Sequence, residues 1–522
     1  MKGIKRFSAL FLTVALTLPF LSGCSLGEGY YLTVYNWADY MDESVLDEFT
    51  AYYREIDPDF RGVTYETCDT PETMFTKFTK SGEPWDVACN SDYLEGKFLR
   101  RGDLQPFPVE QMPNYAQISD YVKEQYRVIQ ESAMEGYAWE GYDPDAVYGI
   151  GYMWGTMGIV YNVEDVKAAE KATGKDLFAD WNLMWEPSFD HRVYMKNSVR
   201  ESYIVGLLKA YTPELKEALA LRDAALRRGE SRETADAAYR ETLSTILGRV
   251  DEVSVARAEE ALKSQQSAVS VKYDVDYDKN AMAAGQASLD YCWAGDGYKA
   301  LRMGAESDPR IVLSYGVPDT GTNLFFDGWF LNGKLEKNSP KYRAAVAFVD
   351  FQCAPEQAKR NMTEIGYVSA TAGMDMLEWG VKNWELAVAG GRNEEGKKQP
   401  RIVWDDELVE KGNSLDVAYF FGEETVKDYV ARHGGRPKLN PIQYPDAAEM
   451  YKFAVVRTYS NEENDRLLEM WSNVKTGDFP LLQIVLFGVF AAAILGLAGW
   501  HWAQKLFRRR KARKKYRPCP RI

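Results

Sequence analysis

Hydrophobic and polar positions follow two periods along this chain. In the segment 31–35, YLTVY, β-branched and aromatic residues place Leu32 and Val34 on one face, which predicts a strand. Val45, Leu46, Phe49 and Tyr53 then recur at helical spacing, with Asp42 the expected N-cap. The stretch between them, Asn36-Trp37-Ala38-Asp39-Tyr40, is therefore a loop leaving the carboxyl end of a strand. In open α/β sheets that rim is where ligands bind. The pattern repeats: 63–68 reads as a strand, Thr70-Pro71-Glu72 opens a helix carrying Met74, Phe75 and Phe78, and 86–89 reads as a third strand with Asn90-Ser91-Asp92-Tyr93 as its exit. Such alternation predicts a parallel α/β sheet.

Further along, 148–162, YGIGYMWGTMGIVYN, is apolar, glycine-rich and strand-like, suited to a crossing between two domains. Residues 212–264 read as helical throughout, with Thr212 as cap, Pro213 in the first turn and a break at 229–231. Residues 325–331, FFDGWFL, form an aromatic strand with one embedded acid. Residues 342–351 and 354–361 are expected helices, Ile365-Gly366-Tyr367 a turn presenting a Tyr, and 446–459 and 461–474 helices. Residues 390–440 read as irregular surface with short helices.

Charge sharpens the picture at both ends. The chain has 63 basic and 77 acidic residues. Three of the bases lie in 1–23 and ten after 478, where there is no acid, so 24–478 holds 50 bases against 77 acids, a net of −27. That balance argues against a nucleic-acid partner, which requires a basic face. Residues 1–23 combine early bases, an apolar run and small residues, and Leu21-Ser22-Gly23-Cys24 resembles a bacterial lipoprotein signal with Cys24 as the lipidation site. The segment 481–502 has no Asp, Glu, Lys or Arg and is long enough to cross a bilayer. The basic tail behind it places 24–478 outside the cytoplasm. The expected location is thus the outer face of the cytoplasmic membrane, with a cytoplasmic tail.

Catalytic and metal chemistry find little support. The six cysteines show no metal spacing and there are three histidines. Asp274-Val275-Asp276-Tyr277-Asp278 begins like a calcium loop, but its sixth position is Lys279 and its twelfth Gly285. Gly295-Asp296-Gly297 reads as a turn, and no phosphate loop or GxSxG is present. No enzyme, cofactor or metal is expected; some disulfide outside the cell is possible, with no pairing indicated.

What the motifs do share is an aromatic residue beside an acid at strand exits. The ordered pieces VYNWADYMDESVLDEF, TPETMFTKF, WDVACNSDY, YGIGYMWGTMGIVYN, DYCWAGDGY, FFDGWFL and FVDFQCAPEQAKRNMTEIGYVSAT resemble the spermidine/putrescine-binding proteins of ABC importers over roughly 30–380. The resemblance implies an α/β, two-lobed periplasmic-binding-protein-like fold (type II), here with a helical insertion at about 212–250 and a C-terminal transmembrane helix. It implies one lobe from 28–149 and 328–380 and another from 150–327 and 381–474, between a signal peptide at 1–23 and a span at 480–502 with a tail at 503–522.

By position, the aromatic walls would be Trp37, Tyr40, Tyr93, Trp293 and Tyr367, with Phe325 where the family usually has Trp. Ser91 would be a polar contact, and Glu201 and Asp327 the anionic partners of ligand ammonium groups. Asn197-Ser198 stands where the family has acids, so Ser198 replaces a carboxylate, and the family's C-terminal Gln contact falls near Val456 and Arg457. Two retained acids suit a diamine better than a triamine. The implied partners are a polyamine-like small molecule, an ABC permease with its ATPase, and the membrane through lipid and helix. The same fold binding another small amine, or a membrane-anchored sensory ectodomain, are the alternatives.

Overall fold

The computed structural model describes residues 29–476 except 275–276, 309, 393–395, 397, 400–401 and 403, together with 494–497 and 500–505. The signal segment, Cys24, the basic tail beyond 505 and most of 481–502 lie outside the described residues. Among those described, no helix is long and apolar enough to cross a membrane.

The sheet runs in the order Phe60–Cys68, Tyr30–Trp37, Val87–Ser91, Thr322–Asn332, Gly149–Asn162, Leu289–Trp293, Val193–Lys196, Lys272–Asp274. The first three strands are parallel to one another and so are the last three. Between them, Thr322–Asn332 and Gly149–Asn162 are antiparallel and join the two parallel groups. Two α/β lobes thus share a pair of crossing strands, as expected from the sequence. The crossing strands are buried along almost their whole length, which explains why they read as near-continuous apolar runs.

The topology brings the site together. Trp37, Ser91, Lys196 and Trp293 each end a parallel strand. Asp327 lies on a crossing strand, directly opposite Ser91 on one side and Met153 on the other. The register slips just after Asp327, so that Gly328 faces Gly151 and Tyr152 is the extra residue. A bulge of this kind re-aims side chains beside functional groups. Gly328 is required here, because a Cβ would lie 2.1 Å from the Tyr126 hydroxyl oxygen.

Several local expectations are corrected. The first helix is Ser44–Ile56; Glu43 before it makes no side-chain cap bond, and the Asp42 carboxylate accepts from the Ser44 backbone N–H at 3.0 Å, one residue earlier than the helix boundary requires. The helical region after 212 is three helices, Thr212–Arg227, Arg232–Leu247 and Glu252–Val269, with a second break near Gly248 and Asp251 as a cap. Thr212 is inside its helix, and its hydroxyl donates to the Leu208 carbonyl at 2.9 Å rather than capping. Residues 446–459 hold a 3₁₀ turn, Ala447–Lys452, and a strand, Phe453–Val455, which pairs with Thr322, Asn323 and Leu324. Gly295-Asp296-Gly297 is the first turn of the helix Ala294–Ser307. The four described cysteines, Cys68, Cys89, Cys292 and Cys353, are buried and free of disulfides.

Candidate ligand-binding site

Tyr40 reaches the site because the chain reverses at Asp39, a non-glycine residue in the left-handed region with φ 53°. The reversal is held at the Tyr40 carbonyl, which accepts from the Tyr152 hydroxyl at 2.9 Å and from the Asn36 amide at 3.4 Å. The Tyr40 hydroxyl then donates to Asp327 at 2.8 Å and the Ser91 hydroxyl donates to its other oxygen at 2.7 Å. The Trp37 side chain adds to the lowering of this carboxylate's pKa. Asp327 is 6% exposed. Burial pushes its pKa up to about 6, against the lowering effect of Ser91, Tyr40 and Trp37. The opening motif is therefore a strand exit bent to hold one buried carboxylate.

Aromatic rings close around that carboxylate. Tyr40 meets Tyr367 edge-on with centroids 5.0 Å apart, and Tyr367 meets Phe325 at 6.0 Å. Tyr367 is presented by a turn at Gly366, φ 82°, as read from the sequence. It packs so closely on Gly295 that a Cβ there would lie 2.1 Å from the ring. Burial, and after it the charge of Asp296, next in the chain, raise the Tyr367 pKa.

A second group surrounds Glu201. Its carboxylate accepts from the Ser198 hydroxyl. Burial raises its pKa, and Arg200 and Ser198 oppose the rise. The Tyr93 hydroxyl donates to Glu72 at 3.3 Å, and the Arg200 guanidinium sits 4.3 Å from the Tyr93 ring centroid. Arg200 also pairs with buried Asp92 at 3.0 Å and donates to the Val456 carbonyl at 3.3 Å. Asp92 in turn accepts from the Phe326 backbone N–H at 3.3 Å, one residue before Asp327. The Asp92–Arg200 pair thereby links the two groups.

Trp293 stands beside a third cluster that the sequence did not announce. Lys196 is wholly buried, with its ammonium 2.5 Å from Asp278, 2.9 Å from Asp296 and 4.9 Å from the Trp293 ring centroid. Of the residues singled out in the sequence, Trp37, Tyr40, Ser91, Phe325, Asp327 and Tyr367 form one contiguous group. Tyr93, Ser198 and Glu201 form the second, and Trp293 lies under Lys196, two residues before the Gly295 that packs on Tyr367. Asp92, Arg200, Lys196 and Asp296 were not singled out. No spacing rule pairs residues so far apart, although Asp92 and Asp296 both open helices directly after a strand.

Two parallel-stranded lobes, two crossing strands and an aromatic site at their junction define a two-lobed solute-binding protein. The bacterial extracellular solute-binding protein family matches residues 46–388. The chain belongs to that family, which is one of binding proteins rather than enzymes. Among curated relatives, the putrescine-binding periplasmic protein SpuD of Pseudomonas aeruginosa is 24% identical over 354 residues, covering 68% of this chain and 82% of that one. The spermidine/putrescine-binding periplasmic protein of Escherichia coli is 21% identical over 370 residues, covering 70% and 84%. Among solved structures, a putative spermidine/putrescine ABC transporter from Listeria monocytogenes aligns with TM-score 0.52 at 19% identity, covering 85% of this chain and 98% of that one. The lipoprotein Tp0655 of Treponema pallidum gives TM-score 0.51 at 14% identity, covering 85% and 99%.

Proposed function

We propose that this chain captures a small polyamine of the putrescine or spermidine class between its lobes and delivers it to an ABC permease and its ATPase. The observation that carries the reading is Asp327: a buried carboxylate whose hydrogen-bond donors are the neutral Tyr40 and Ser91, with aromatic faces beside it. Desolvating an ammonium group costs several kcal/mol, so a buried amine needs a carboxylate. Aromatic faces cover methylenes and add roughly 0.5–2 kcal/mol for each cation they meet. A flexible diamine satisfies both demands, with one ammonium at Asp327 and the other toward Glu201. Trp37, Tyr40, Tyr93, Trp293, Phe325 and Tyr367 would wall the methylene chain, and Ser91 and Ser198 would supply polar contacts. The relatives that carry putrescine or spermidine in their names support the same ligand class.

In this reading the lobes are 28–149 with 328–380 and 150–327 with 381–474. Cleavage before Cys24, lipidation there, and a span at 480–502 ending in the basic tail 503–522 would tether them to the outer face of the membrane. The tether would raise the effective concentration of the binding protein at its permease. The test is a thermal-shift series on the full chain with putrescine, spermidine and the uncharged analogue 1,4-butanediol. A ligand at about 100 times its Kd adds about 2.7 kcal/mol to folding stability. A rise in Tm with either amine and none with the diol is the expected result; no rise with any amine sinks the proposal.

A further inference from the structure

The charge balance at the Trp293 end differs from that at Asp327 in a way that bears on ligand choice. Lys196 ends the strand Val193–Lys196 at the rim of its lobe, two residues before Ser198 and five before Glu201. Its ammonium lies over the Trp293 indole, and Trp293 is itself only partly buried. Two carboxylates of this cluster pair with the chain's own cations, and a third, Asp290, is buried on the Trp293 strand, where burial and Asp278 push its pKa well up toward the neutral acid. Asp278 pairs with Lys196, and Asp296 pairs with Lys196 at 2.9 Å and with Lys279 at 3.3 Å. Gly295, next to Asp296, packs against the Tyr367 ring, so the cluster adjoins the aromatic group around Asp327. A cation over one face of an aromatic ring draws on the same quadrupole that would attract a cation to the other face. Trp293 can therefore offer a ligand an apolar surface for methylenes but little attraction for an ammonium group.

We propose that Lys196 is a specificity-determining residue, a resident cation that occupies the third amine station of the site and restricts high-affinity ligands to diamines. This rests on the polyamine reading above, which supplies the two remaining stations, Asp327 and Glu201. A triamine that reaches both must leave its extra ammonium beside Trp293, where the ring and its carboxylates are already committed. A diamine spans the site without that conflict. The inference concerns the ratio of two affinities, so a general loosening of the fold leaves it unmoved.

The experiment is calorimetric titration of the full chain with putrescine and with spermidine, for the wild type, K196M, K196R and the charge-balanced K196M/D278N, with folding checked by circular dichroism. The wild type should bind putrescine at least tenfold more tightly than spermidine, and K196R should keep that preference. K196M should shift the ratio toward spermidine by at least tenfold. K196M/D278N should shift it in the same direction and serves if K196M does not fold. Spermidine bound as tightly as putrescine by the wild type, or an unchanged ratio in either folded Met variant, overturns the role of Lys196 while leaving amine binding intact. Failure of the wild type to bind either amine removes the polyamine reading and this inference together.

Discussion

At Asp327 a buried carboxylate is held by Tyr40 and Ser91, both of them neutral. At Glu201 the neighbouring cation is Arg200, already bonded to Asp92, with Ser198 completing the carboxylate's partners. At Trp293 the carboxylates Asp278 and Asp296 are matched by Lys196 and Lys279, and burial holds the third acid of the cluster, Asp290, toward its neutral form. Negative charge is thus left open at the first place, shared at the second and closed at the third. Burying a carboxylate without a counter-ion costs several kcal/mol, so the open end is the place where a cationic ligand returns the most.

The largest effect should follow from neutralising the open end. Asp327→Asn should weaken putrescine binding by at least about 100-fold, or roughly 3 kcal/mol, in calorimetric titration. The same change should raise the Tm of the unliganded protein at pH 7, since the raised carboxyl pKa of about 6 marks an ionised state that burial disfavours. The sign of the pH dependence follows. A carboxyl whose folded pKa lies above its ordinary value stabilises the fold most when protonated. That contribution is fully present below about pH 4 and is lost as pH rises through about 6. Two pH units correspond to roughly 3 kcal/mol. The Tm difference between Asp327→Asn and wild type should therefore be small at pH 4 and grow toward pH 7. An unchanging difference would detach Asp327 from the shift.

Glu201→Gln should cost less, about tenfold in putrescine affinity or 1.4 kcal/mol, because Arg200 keeps Asp92 as its partner. Equal losses for the two acids would erase the asymmetry between the ends. Tyr40→Phe removes one neutral donor from Asp327 and should cost about 1 kcal/mol of binding. Smallest of all, Asp39→Gly relieves a left-handed non-glycine residue and should raise stability by roughly 0.5–1 kcal/mol with binding retained. Lost binding there would show that the Asp39 side chain contributes beyond the turn.

The open end was legible in the sequence because each of its parts is a local signal. A strand that ends in Trp, an aromatic strand with one acid, and a Tyr after Gly366 can each be read within a few residues. The rim rule for α/β sheets then gathers them. The closed end was illegible for the opposite reason. Lys196, Asp278 and Asp296 carry no shared spacing, and Asp278 was read as part of a failed calcium loop. Their pairing depends on three elements converging at one rim, which only tertiary structure supplies. Residues 447–455 misled in the same way: Ala and Met favour a helix locally, but the backbone of Phe453–Val455 completes the edge of a crossing strand. Gly295 and Gly297 suggested a turn, whereas Gly295 is small to admit the Tyr367 ring.

The most direct measurement of the central claim is proton release when putrescine binds the full chain at pH 6, obtained by calorimetry in two buffers of different ionisation enthalpy. A carboxyl with a pKa near 6 is about half protonated there and must ionise fully to meet an ammonium group, so about half a proton should leave for each putrescine bound. The release should fall in any Asp327→Asn protein that still binds, leaving only the share from Glu201, whose pKa burial also raises. Binding with no proton release in the wild type, or an equal release in Asp327→Asn, would contradict the assignment of Asp327 as the open carboxylate that receives the ligand.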